Sequence, residues 1–182
     1  MPIKRVLSPW RNMLGICLLI VVTVTACQRS AEPEQAGTPN EPTAAVTPSP
    51  QANRPTCPVC NMFADFSPQW MARIEYKDGS VVSFDVPQHM LKFYLNAAEY
   101  TASDYHKDKA NIVRMTVNDF NSKSAIDAQT AFYVFGSKQQ TPMGEGAIPF
   151  KLKSDAETFQ KAHGGQLVTF NQITSALLEA NQ

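Results

Sequence analysis

A stretch that cannot fold divides this chain. Residues 28–55 carry Pro33, Pro39, Pro42, Pro48, Pro50 and Pro55 among Glu, Gln, Ala, Ser and Thr, with hardly a large apolar side chain. Such a composition buries too little apolar surface to offset the entropy of ordering the backbone. The segment reads as a disordered tether that spans on the order of 30 to 80 Å, depending on its stiffness. The 182 residues are enough for one ordinary domain or two very small ones, and the part left to fold is 56–182.

What precedes the tether reads as an export signal. Lys4, Arg5 and Arg11 lead into the apolar run Met13 to Val24, followed by the small residues Thr25 and Ala26. The run is shorter than the ~20 apolar residues of a membrane-spanning helix. Val24, Thr25, Ala26 and Cys27 together look like a bacterial lipobox, with cleavage after residue 26 and a lipid on Cys27. Gln28, where an Asp would resemble an inner-membrane retention signal, favours the outer membrane. Removing residues 1–26 takes three of the 16 cationic side chains, leaving 13 against 16 acidic ones and a net charge of about −3. Nothing in that balance suggests nucleic-acid binding. Cys17 leaves with the signal, so Cys57 and Cys60 are the thiols of the mature domain, facing an oxidising compartment.

Periodicity and punctuation outline the domain. Met71–Lys77 and Val81–Asp85 read as strands joined by the Asp78-Gly79 turn. Pro87 opens a helix to about Ala98, with Met90, Leu91, Tyr94 and Leu95 on one face. Residues 100–109 read as a polar loop. Asn111–Val117 is a strand and Ala131–Phe135 a buried one. Thr141-Pro142-Met143-Gly144 is a turn, and Ile148–Leu152 a short strand. Ser154 and Glu157 form a capping-box pattern for a helix stopped by Gly164-Gly165. A strand at Leu167–Phe170 and a helix from Asn171 to Ala180, capped by Asn171, close the chain. Phe84 precedes Phe93 by nine residues, as Phe150 precedes Phe159. Two duplicated strand-helix units would produce that echo, and so would chance.

The chemistry lies in Cys57-Pro58-Val59-Cys60-Asn61-Met62, two thiols and a thioether within six residues. A zinc knuckle would need a second cysteine pair or suitably spaced histidines. A thioredoxin-like dithiol would follow a strand, not a proline-rich tether. A disulfide would close a very short loop and stabilise little, yet it stays open as a structural or redox state. Soft-metal capture is the reading that Met62 strengthens, because thiolates with a thioether select Cu(I) over hard cations. Met143 is a second thioether candidate, since its turn has no apolar periodicity to explain it. Met71, Met90 and Met115 read as core filler. His163, at a helix end, suits either the helix dipole or a metal. His89 and His106 read as solvated.

Cys-Pro-Val-Cys-x-Met, Asp-Gly-Ser-Val-Val-x-Phe-Asp, Ala-Phe-Tyr-Val-x-Gly-Ser, Pro-Met-Gly, Ile-Pro-Phe, Asp-Ala-x-x-Phe and His-Gly-Gly follow one another from Cys57 to about Ile173. In that order they resemble the NosL family, lipoprotein accessory factors of nitrous-oxide reductase. The resemblance implies an α+β domain of two small, similar ββαβ-type units, here 56–118 and 119–182, packed as one compact body after the tether. It also implies a periplasmic, lipid-anchored Cu(I) chaperone rather than an enzyme. Its acceptor would be the nitrous-oxide reductase apoprotein, whose copper-sulfide centre it helps to assemble, and a membrane copper transporter would be a supplier. The implied ligands fall among Cys57, Cys60, Met62 and Met143, with His163 a lesser candidate. A homodimer sharing one ion is an open arrangement. Asn61 stands where the family usually has Gly; Asn is the next residue most tolerant of a left-handed backbone, so the turn is expected to survive. The competing reading is a tethered assembly or binding module without metal, its start pinned by a Cys57–Cys60 disulfide.

Overall fold

The computed structural model describes residues 53–181, so the signal segment, Cys27 and nearly all of the tether lie outside it. Two antiparallel sheets form the frame. The first is built from β1 (Ala72–Tyr76), β2 (Val81–Phe84), β3 (Ile112–Asn118) and β4 (Ala125–Asp127) in the order β2-β1-β3-β4. The second is built from β5 (Phe132–Phe135), β6 (Ile148–Phe150) and β7 (Gln166–Thr169) in the order β6-β5-β7. Helix α1 (Pro87–Leu95) connects β2 to β3 together with the short α2 (Asp104–Lys107), and α3 (Lys153–His163) connects β6 to β7. The final helix, α4, spans Ser175–Glu179. Each sheet thus repeats a ββαβ order in which the first strand is central, the α+β architecture expected from sequence.

The phenylalanine echo has a packing cause. The last residue of a hairpin strand faces the second turn of the helix that follows, so Phe84 meets Phe93 with ring centroids 5.3 Å apart and Phe150 meets Phe159 at 5.0 Å. Strand β5 explains its own apolar sequence. Tyr133 and Phe135 point into the larger core with Ile74, Phe84, Met90, Leu91 and Met115, while Val134 points the other way, to Ile148, Phe150 and Ala156. A strand covered on both faces has no polar side to show. The Tyr133 hydroxyl, though buried, donates to the Ala128 carbonyl at 2.7 Å.

Several element ends differ from the sequence reading, each for a local reason. Helix α1 stops at Leu95, where Asn96 leaves helical geometry, and a 3-10 turn at Ala97–Glu99 continues the path. The region read as a polar loop contains α2, capped by the Ser103 side chain. Strand β4 was not anticipated; three residues give too little pattern to read. The Ser154–Glu157 capping box does not form, because α3 starts at Lys153, with Leu152 as its N-cap, and Ser154 is already helical. Among the described residues a capping box joins Thr169 and Gln172 around the 3-10 turn Phe170–Gln172, and it is Thr174 rather than Asn171 that caps α4.

Candidate metal centre

The sulfur stretch forms a closed loop. Thr56 bridges Phe63, the Cys57 amide donates to the Met62 carbonyl at 2.8 Å, and the Asn61 amide donates to the Cys57 carbonyl at 2.8 Å. Reversing the chain so tightly needs one left-handed residue, and Asn61 supplies it with φ +59°. Below the loop, Arg54 Nε donates to Asp65 Oδ1 at 2.9 Å and the guanidinium lies over the Phe63 ring at 4.1 Å. Asn61→Val is expected to cost about 1–2 kcal/mol in urea unfolding and Asn61→Gly almost nothing. Equal costs for the two would show that the backbone conformation is not what Asn61 provides.

The loop closes over the junction of β2 and α1, where Pro87 fills the first position of the helix. Proline has no amide to satisfy there, so the chain can bend sharply out of the strand. The bend places Asp85 just ahead of the helix and His89 within its first turn, four residues apart and side by side. Asp85 Oδ1 accepts from His89 Nδ1 at 2.7 Å, and Asp85 Oδ2 accepts from the Cys60 thiol at 3.3 Å. Cys57 Sγ lies 3.6 Å from the same His89 nitrogen. One potential donor atom from each of Cys57, Cys60, Asp85 and His89 lies within 4.8 Å of all the others. Two ligands on opposite sides of one ion with metal–sulfur bonds of ~2.3 Å would stand ~4.6 Å apart, so little movement is needed to close this set on a metal.

Electrostatics set the metal-free state. Burial alone would raise the Asp85 carboxyl, but hydrogen bonds from His89, Cys57 and Cys60 outweigh it and hold the group down to about 2. The α1 N-terminus favours the same anion. Burial pushes the Cys57 thiol up to about 12 and shifts Cys60 upward too, and the neighbouring carboxylate adds to both. At neutral pH the site therefore holds one carboxylate and two protonated thiols, both free of any disulfide.

The sequence-derived candidates are distributed unevenly. Cys57 and Cys60 are in the group; Met62 is on the rim of the loop, 43% exposed. Met143 is half-buried in a turn closed by the Thr141–Gly144 bridge. His163 ends α3, exposed and stacked on Phe159 with ring centroids 4.4 Å apart, outside the four-donor group. Neither His89 nor His106 is solvated as expected. His89 has a side chain only 12% exposed, and the half-buried His106 packs at a tilt against the Tyr76 ring with its Nε2 3.0 Å from the Ser80 hydroxyl. Met90 and Met115 are core residues as read. Asp85 went unnoticed as a strand end. Its only signal in the sequence is an Asp and a His four apart astride a helix-opening proline.

Two thiols, a carboxylate and an imidazole gathered on a small α+β scaffold define a candidate metal-binding domain. The chain belongs to the NosL family, which matches residues 48–178. It is similar to the copper-binding lipoprotein NosL of Stutzerimonas stutzeri, with 26% identity over 166 residues that cover 90% of this chain and 80% of that protein. The copper-binding lipoprotein NosL of Achromobacter cycloclastes is 35% identical over 80 residues, 38% of this chain and 42% of that one. The crystal structure of the copper chaperone NosL from Shewanella denitrificans matches with a TM-score of 0.53 at 28% identity, covering 66% of this chain and 90% of that chain.

Proposed function

We propose that this domain carries Cu(I) outside the cytoplasm and passes it to the nitrous-oxide reductase apoprotein during assembly of its copper-sulfide centre. The observation that carries the reading is the convergence of Cys57 and Cys60 on the Asp85–His89 pair, with the exposed thioether of Met62 in the same loop. Cys57 and Cys60 serve as thiolate ligands, Met62 completes the set from the rim, and Met143 is a further sulfur donor from its turn. Asp85 and His89 orient the thiols and remain available as donors. Copper held by two or three sulfurs keeps room in its coordination shell. An acceptor ligand enters before a donor leaves, and the free ion is never released. The lipid on Cys27 and the segment that follows it keep the carrier at the membrane, with Gln28 favouring the outer one.

The test is a thiol titration of anaerobically purified protein before and after Cu(I) addition. The carrier reading predicts two reactive thiols that disappear as copper is taken up. Unreactive thiols after mild reduction, without copper uptake, would favour the metal-free module instead. Met143→Leu is expected to weaken Cu(I) binding in a competition titration while circular dichroism and unfolding stay as in the parent. A loss of stability with unchanged copper affinity would return Met143 to the core.

A further inference from the structure

The two thiols occupy different depths. Cys57 is completely inaccessible to solvent, whereas Cys60 is half-buried near the loop tip. The Cys57 backbone is tied on both sides, through its amide to Met62 and through its carbonyl to Asn61. An incoming ligand approaching from solvent meets Cys60 and the exposed Met62 before it can reach Cys57.

From this asymmetry we propose that the cysteines divide the hand-off: Cys60 is the ligand that an acceptor displaces first, and Cys57 retains the ion until the last exchange. The inference rests on the Cu(I) carrier reading. In the first step a bond forms between Cu(I) and an acceptor donor atom, the bond to Cys60 Sγ breaks, and the freed thiolate takes a proton from solvent. In the second step another acceptor atom bonds the ion, the bond to Cys57 Sγ breaks, and that thiolate is protonated in turn. Copper remains Cu(I) throughout, and no electron moves.

Two measurements test the order. In the metal-free, reduced full-length protein, limited iodoacetamide labelling followed by fragment mass spectrometry is expected to modify Cys60 faster than Cys57 by roughly tenfold or more. Equal labelling, or Cys57 first, overturns the proposal, and this arm needs no variant. In the second arm, Cys57→Ser and Cys60→Ser proteins are loaded with Cu(I) and challenged with a chromophoric chelator. Cys57→Ser is expected to release copper roughly tenfold or more faster than Cys60→Ser, because its remaining thiolate is the accessible one. Equal release from the two, with a parent protein that binds copper, overturns the division alone. A parent that takes up no Cu(I) overturns the carrier reading and the division with it.

Discussion

Exchanging Cys57 and Cys60 together for serine is expected to lower Cu(I) affinity by roughly four orders of magnitude, about 5.5 kcal/mol. Serine preserves the shape of each side chain but replaces a soft, ionisable sulfur with a hard hydroxyl that keeps its proton. Asp85, His89 and the Met62 and Met143 thioethers then remain as donors, a set with no thiolate. Because Cys57 belongs to the main core cluster, a hydroxyl there costs some stability. That cost is about 1–2 kcal/mol. Anaerobic competition against a chromophoric Cu(I) chelator measures the affinity, and urea unfolding checks that the domain is intact. An unchanged affinity in a folded variant would move the copper site away from this loop.

The second large effect is on pH. Copper affinity is expected to rise by about two decades per pH unit between about pH 6 and pH 8. Burial pushes Cys57 up to about 12 and Cys60 upward, so both thiols carry protons across that range. Binding as thiolates releases both protons, and acid therefore competes with the metal. Asp85 does not add to the slope, since its carboxyl is held at about 2 and stays ionised throughout. The titration needs correction for the chelator's own protonation. A flat profile would mean that thiolates exist before copper arrives, or that copper takes other donors.

Much of the fold was legible because its causes are local. Proline at position 87 starts α1 wherever the helix then packs, and the alternation along β1 follows from one buried face. The left-handed Asn61 was expected from the resemblance, since Asn is the next residue most tolerant of the backbone that the family's usual Gly would adopt there. The readings that missed share a different origin. The Ser154–Glu157 pattern is a valid capping box, but packing of Phe159 against Phe150 and Phe120 accompanies a helix that starts at Lys153. His106 looked solvated in a polar segment, and only the docking of α2 on the β1–β2 turn covers it.

The centre divides along the same line. By itself the sequence determined that soft donors are concentrated in one short stretch and that Asn61 suits a left-handed turn there. Those properties depend on side-chain chemistry and on backbone preferences acting across a few residues. Tertiary structure alone decided that the loop lies over the start of α1, so that Cys57 meets His89 from 32 positions away and Cys60 meets Asp85 from 25. It also decided that Cys57 is enclosed while Cys60 stays within reach of solvent. The physical reason is that depth and convergence are set by how the β1–β2 hairpin, α1 and the loop share one core, and no local preference encodes that arrangement.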